Sequence, residues 1–159
     1  MRPRVGLGYD SHTFGANRPL RLAGVVIPHD SGLTGHSDGD AVAHALTDAL
    51  LGAAAMGDIG QRFPDTDPRW KGADSMELLR AVRDDVTGAG FTIANVDATV
   101  VTQRPRVAPH ITEMRAGIAA ALQVPASAVS IKAKTNEGMD AVGRGEGLQV
   151  FAVALLLEA

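Results

Sequence analysis

A chain of 159 residues with 45% hydrophobic side chains can bury a real core, and its lack of cysteine excludes disulfides, thiolate metal ligands and cysteine nucleophiles. The net charge of −3 leaves no basic footprint for nucleic acid, and no stretch reaches the ~18 apolar residues of a membrane span. Aromatic side chains are only 4%, so Ala, Val, Leu and Ile must build the interior.

No signal-type apolar run follows Met1-Arg2-Pro3-Arg4, which reads as a soluble, cytoplasmic protein. Without an internal repeat, low-complexity tract or linker, residues 1–159 read as one domain. Arg4 to about Phe14 has strand character. Successive side chains of a strand alternate faces, so Asp10 and His12 point the same way. Arg21 to Ile27 reads as a second strand, between Asn17-Arg18-Pro19 and Pro28, and the two are expected to form a hairpin. The first helix should start near Ser37 or Asp38, where Ser37 and Asp40 have capping-box spacing. Val42, Leu46, Ala49, Leu50 and Ala53 make its apolar face. Asp40, His44 and Asp48 recur on the opposite face, which turns His44 away from that stripe.

Residues 57–72, rich in Gly, Pro and Asp, read as an irregular loop. A second helix is expected over about Ser75 to Thr87, capped by Asp74, with Met76, Leu79, Val82, Arg83 and Val86 on its contact stripe. Phe91 to Thr102 is strand-like and ends at Gln103-Arg104-Pro105-Arg106. A third helix follows, from Val107 or His110 to Leu122, and Val129 to Thr135 is a short strand. Leu148 to Leu157 is the last strand, apolar at nearly every position. The order β-β-α-α-β-α-β-β predicts an α/β (α+β) sandwich, a mixed sheet with helices on one face. A final strand so apolar implies cover on both faces, one from helices and one from a neighbouring subunit.

Three of the five histidines, His12, His36 and His44, fall near one expected site. Asp10 and His12 from a strand, with His44 from a helix, give three ligands and an open fourth position, the pattern of a catalytic zinc. Other segments stay open between two uses. Gly35-His36-Ser37-Asp38-Gly39 suits phosphate at a helix start and equally suits simple capping. Asp58-Ile59-Gly60 and Phe63-Pro64-Asp65-Thr66-Asp67-Pro68 could serve ribose hydroxyls or a metal-bound phosphate, or be Asx-type turns. Arg104-Pro105-Arg106 could hold phosphate or be a surface turn. Thr135-Asn136-Glu137-Gly138 brings a carboxylate and hydrogen-bonding groups to a strand end, as a plain β-turn also would. Arg144 and Glu146, between glycines, read as a surface ion pair.

Taken in order, Gly8-Tyr9-Asp10-Ser11-His12, Gly35-His36-Ser37-Asp38-Gly39-Asp40, the run from His44 to Ala53, Gly57-Asp58-Ile59-Gly60, the run from Phe63 to Pro68, and Gly143-Arg144-Gly145-Glu146-Gly147 resemble the 2-C-methyl-D-erythritol 2,4-cyclodiphosphate synthase family of the non-mevalonate isoprenoid (MEP) pathway. The resemblance runs from Val5 to the C-terminus. It implies a ferredoxin-like subunit in a homotrimer with active sites between subunits. It implies Zn2+ on Asp10, His12 and His44, and a second divalent cation, Mg2+ or Mn2+, at Glu137. The implied substrate is 4-diphosphocytidyl-2-C-methyl-D-erythritol 2-phosphate, which closes to the cyclic diphosphate and releases CMP, a lyase reaction.

The resemblance assigns His36 and Thr135 to transition-state stabilisation. Asp10, Ser11, His12, His36, Ser37, Asp58, Ile59, Gly60, Phe63, Pro64, Asp65, Thr66 and Asp67 would meet the substrate along one side. Thr102, Gln103, Arg104, Pro105, Arg106, Val107 and Ala108 would form the cytidine pocket, with Arg106 where lysine is common. Lys134, Thr135, Asn136, Glu137, Ala141 and Arg144 complete the set. Arg144 would lie near a central trimer cavity able to hold an isoprenoid diphosphate. Lys134 and Asn136 stand where the family often has threonines, and Met139-Asp140-Ala141-Val142 replaces a Leu-Gly-Phe-Thr-like stretch. Two other readings are a zinc phosphohydrolase, which would release inorganic phosphate, and a trimeric isoprenoid-phosphate binding protein without turnover.

Overall fold

The computed structural model describes residues 1–159. Strand β1 (Arg2–Ala16) extends beyond the expected span at both ends. It pairs antiparallel with β7 (Gly147–Glu158), from Arg2 opposite Glu158 to Thr13 opposite Gly147. The expected second strand does not pair with β1. Ala23 and Gly24 take positive φ angles of 54° and 76° and fold the run back on itself. It becomes a separate hairpin of β2 (Leu20–Leu22) and β3 (Val25–Ile27), and β4 (Gly32–Leu33) takes the free edge of β1 instead. On the other side of β7 lies antiparallel β5 (Phe91–Val101), then β6 (Val129–Lys134), parallel to β5. The sheet order is β4-β1-β7-β5-β6, the expected mixed sheet.

Helix α1 (Ala41–Ala53) lies across β1 and β7, α3 (Ser75–Gly88) packs on α1, and α4 (Ile111–Leu122) covers β6. The α1 start differs from the sequence expectation. Asp40, not Ser37, is the N-cap, and its carboxylate accepts from Ala43 N–H at 3.1 Å. The same carboxylate accepts the Ala23 and Gly24 N–H groups, each at 2.8 Å, and so ties the hairpin to the helix. All of α1 except Asp48 and Gly52 is buried, so it has no polar face and His44 points into the protein. Residues 57–72 are less irregular than expected. They hold the short helix α2 (Ile59–Arg62) and a 3-10 turn, Pro68–Trp70. A further short helix, α5 (Asp140–Gly143), precedes β7.

Two glycines bring α1 down onto the sheet. A Cβ on Gly8 would overlap the Ala45 carbonyl, and one on Gly6 would overlap the Ala49 carbonyl. Without side chains there, the helix backbone rests directly on β1. Leu148, Val150, Ala152, Ala154 and Leu156 of β7 face the helices and are buried. Its alternate residues do not gain a second cover from this chain. Phe151 and Val153 are each 42% exposed beside Val5 and Leu7, each 68% exposed. Tyr9 packs on Phe151 with ring centroids 5.1 Å apart. The helix-free face of the sheet is thus an apolar strip.

Candidate functional site

Asp10 and His12 sit on the helix-facing side of β1, one strand repeat apart, where the close approach of α1 delivers His44. Asp10 Oδ2 stands 2.7 Å from His12 Nε2 and 3.0 Å from His44 Nδ1. The two ring nitrogens are 3.4 Å apart. One donor atom from each of the three residues lies within 4.8 Å of the others. His12 Nδ1–H donates to the Thr34 carbonyl at 2.5 Å, which leaves Nε2 as the nitrogen directed at Asp10. A carboxylate oxygen and imidazole nitrogens converging in this way fit a divalent cation.

Burial pushes the Asp10 carboxyl up, but its hydrogen bonds and charge interaction with His12 and His44 outweigh that and hold it below the usual range. Burial pushes His12 down, and the Asp10 carboxylate overrides it, so the imidazole holds a proton more tightly than usual. The far side of the His44 ring meets two hydroxyls. Nε2 is 2.7 Å from Ser75 Oγ and 2.9 Å from Ser37 Oγ.

A cavity of about 260 Å³ opens beside this cluster, lined by His12, His36, Ser37, His44, Ile59, Gly60, Phe63, Asp65, Trp70 and Leu78. Its walls are set by specific ties. Arg18 donates to the carbonyls of Leu33 (2.8 Å) and Ser37 (2.7 Å), which pins the segment carrying His36. Asp48 accepts Ile59 N–H at 2.7 Å, and Asp58 caps α2 by accepting Gln61 N–H at 2.9 Å. Phe63 and Trp70 meet edge to face, centroids 4.9 Å apart. Pro64, Thr66 and Asp67 continue the same loop, where Asp67 pairs with Arg69 at 2.6 Å. The sequence reading did not single out Trp70, Leu78, Ser75, Arg18 or the side chain of Asp38 for this site. The one tryptophan of the chain, set in a polar loop, is the signal that could have drawn attention to that wall.

The remaining residues of interest do not line that cavity. Thr102, Gln103, Pro105, Arg106, Val107, Ala108, Lys134 and Thr135 line a separate cavity of about 150 Å³. Thr102 Oγ1–H donates to the Arg104 carbonyl at 2.6 Å, which shapes that loop. Arg104 and Arg144 share a third hollow with Phe14 and His29. Ser11 lies on the opposite face of β1 from Asp10 and lines a fourth, with Ala141. Glu137 is exposed in the turn after β6, outside the Asp10 cluster, and its N–H donates to Thr135 Oγ1 at 3.3 Å. Asn136 donates from Nδ2 to the Met139 carbonyl (3.0 Å) and to Asp140 Oδ1 (2.9 Å), so it supports the Met139–Val142 segment directly.

No helix is long and apolar enough to cross a membrane. In sequence, the chain is 57% identical over 155 residues to a 2-C-methyl-D-erythritol 2,4-cyclodiphosphate synthase of Burkholderia cenocepacia, covering 98% of this chain and 96% of that one. In structure, it matches a 2C-methyl-D-erythritol-2,4-cyclodiphosphate synthase in a CDP-bound form with TM-score 0.89 and 40% identity, over 97% of this chain and 100% of the other. It also matches the bifunctional IspDF of Campylobacter jejuni with TM-score 0.94 and 45% identity, where 98% of this chain spans 42% of that longer one. The YgbB family model matches residues 3–157, and with these relatives it establishes that the chain belongs to the YgbB family.

Proposed function

We propose that this chain is a 2-C-methyl-D-erythritol 2,4-cyclodiphosphate synthase, a CMP-releasing lyase acting as one domain of residues 1–159 in a cytoplasmic homotrimer. The observation that carries the reading is the Asp10–His12–His44 cluster beside a cavity lined by His36 and Ser37, in a chain so similar to proteins of that name. The reaction is an intramolecular phosphoryl transfer in 4-diphosphocytidyl-2-C-methyl-D-erythritol 2-phosphate. An oxygen of the 2-phosphate attacks the β-phosphorus, the bond from that phosphorus to the CMP oxygen breaks, and CMP leaves. The nucleophile belongs to the substrate, so the protein needs no serine or cysteine nucleophile. Its task is to hold the two phosphates together and offset their charge.

Asp10, His12 and His44 would hold Zn2+, and Glu137 a second cation, Mg2+ or Mn2+. Cations there supply positive charge beside the phosphate oxygens. His36 and Thr135 stabilise the transition state, and Ser37 holds the methylerythritol phosphate. The Asp58–Gly60 and Phe63–Asp67 segments line the sugar end. The Thr102–Ala108 loop takes the cytidine, with Lys134, Asn136, Ala141 and Arg144 at its margins.

His36 and Thr135 line different cavities of one chain, which supports a site completed by a neighbouring subunit. The apolar strip of Val5, Leu7, Tyr9, Phe151 and Val153 supports such assembly. Arg144 at the trimer core would be the contact for an isoprenoid diphosphate.

The test is phosphorus NMR of the protein with this substrate, Zn2+ and Mg2+. Stoichiometric cyclic diphosphate and CMP are expected. Inorganic phosphate instead would favour hydrolysis, and an unchanged substrate with metal bound would favour a binding protein.

A further inference from the structure

We propose that Ser75, held in place by Asp38, is the positioning residue that fixes the tautomer and ring orientation of His44. This rests on the reading of Asp10, His12 and His44 as a cation site. The Asp38 carboxylate accepts only, and it receives the Ser75 N–H at 3.0 Å, the Asp40 N–H at 3.1 Å and the Ser75 hydroxyl. Ser75 has one hydroxyl proton, and Asp38 takes it. Its oxygen can then only accept from the imidazole nitrogen 2.7 Å away.

His44 therefore keeps a proton on Nε2. Nδ1, 3.0 Å from Asp10, is the nitrogen directed at the cluster, where a cation would take the place of any proton shared with the carboxylate. His12 reaches the complementary state by donating Nδ1–H to the Thr34 carbonyl, so both rings direct their other nitrogen at the same point. Ser75 is fully buried at the start of α3, and Asp74 caps that helix, which leaves the Ser75 side chain free for this role. Ser37 Oγ stands 3.3 Å from Ser75 Oγ and 2.9 Å from the same His44 nitrogen. With Ser75 accepting from His44, the Ser37 hydroxyl is left available to a substrate oxygen. Partners of this kind outside the ligand set typically change metal affinity by about 10- to 100-fold.

The test compares wild type with Ser75→Ala, Ser75→Thr and Asp38→Asn as purified full-length apoprotein. Zn2+ affinity is read by competition with a chromophoric chelator, and ligand geometry by the visible absorption of Co2+ in the same site. The expected result is a loss of about 10- to 100-fold in Zn2+ affinity and an altered Co2+ spectrum for Ser75→Ala, with recovery of both in Ser75→Thr. Asp38→Asn should shift both readouts in the same direction by a smaller factor, and it decides the matter if Ser75→Ala does not fold. Imidazole nitrogen NMR of wild-type apoprotein should show His44 protonated on Nε2. Unchanged affinity and spectrum in Ser75→Ala, or a bare Nε2, would overturn the proposal while leaving the cation site standing. Wild-type protein that binds neither ion, or a His44→Ala variant that binds as tightly as wild type, would overturn the cation site itself and this proposal with it.

Discussion

Asp10 stands between two imidazoles, and its charge helps hold a proton on His12. In metal-free protein the His12 value is raised above its ordinary 6.5, so the folded state binds that proton more tightly than the unfolded chain does. The stabilisation this gives is fully present below about pH 6.5 and is lost as pH rises through the folded value. The Asp10 value is lowered from 3.8, so its contribution is present above that pH and is lost as the solution becomes more acid. Melting curves of chelator-treated protein should therefore show the pair helping most between these limits. Zn2+ should raise the melting temperature most at the alkaline end, where it no longer competes with protons for the same lone pairs. His44→Ala should abolish that metal-dependent rise, since two ligands are a poor site for zinc. Asp10 and His12 were legible in the sequence because a two-residue repeat needs only a strand. Ser75 and Asp38 were not, because their partnership with His44 depends on how α3 docks against the segment before α1.

At the scale of elements, the distance between β1 and α1 is as important as any side chain. Gly8→Ala places a methyl group against the Ala45 carbonyl. We expect a cost of about 1–3 kcal/mol, as for other overpacked interiors, measured by denaturant unfolding. Lifting α1 also draws His44 from Asp10, so Zn2+ affinity should fall in a variant whose ligands are all intact. Asp40→Ala strips three backbone N–H groups of their acceptor at once. A loss of about 2 kcal/mol or more is expected, beyond an ordinary cap, because the hairpin comes loose with the helix end. The sequence reading set the start of α1 near Ser37 or Asp38 because it saw only local spacing. It could not see the hairpin across the chain that recruits Asp40, nor the positive φ of Ala23 that makes the hairpin. The apolar periodicity of α3 and the alternation along β5 and β7 were plain, because those patterns are set by the period of a single element.

For the whole molecule, the residues of the proposed reaction are divided among cavities on different parts of one chain, while the strip around Leu7 and Phe151 remains open. Leu7→Lys should leave the subunit fold nearly unchanged, because that side chain is already 68% exposed. It should nonetheless shift sedimentation from a trimer to a single chain and remove turnover, with Zn2+ binding retained. Trimer sedimentation with full activity in this variant would assign the strip another role. The length and apolarity of the last strand suggested a second cover, but its outward residues could be identified only once the pairing register with β1 was known.

That open strip also bears on how the chain behaves before it finds partners. A face bearing Val5, Leu7, Phe151 and Val153 is tolerable only briefly in water, and dilute subunits would tend to stick to whatever apolar surface they meet. Midpoints of thermal unfolding should therefore climb with protein concentration, as they do when association and folding are linked. Losses on dilution should be cured by adding more of the same protein and not by adding metal.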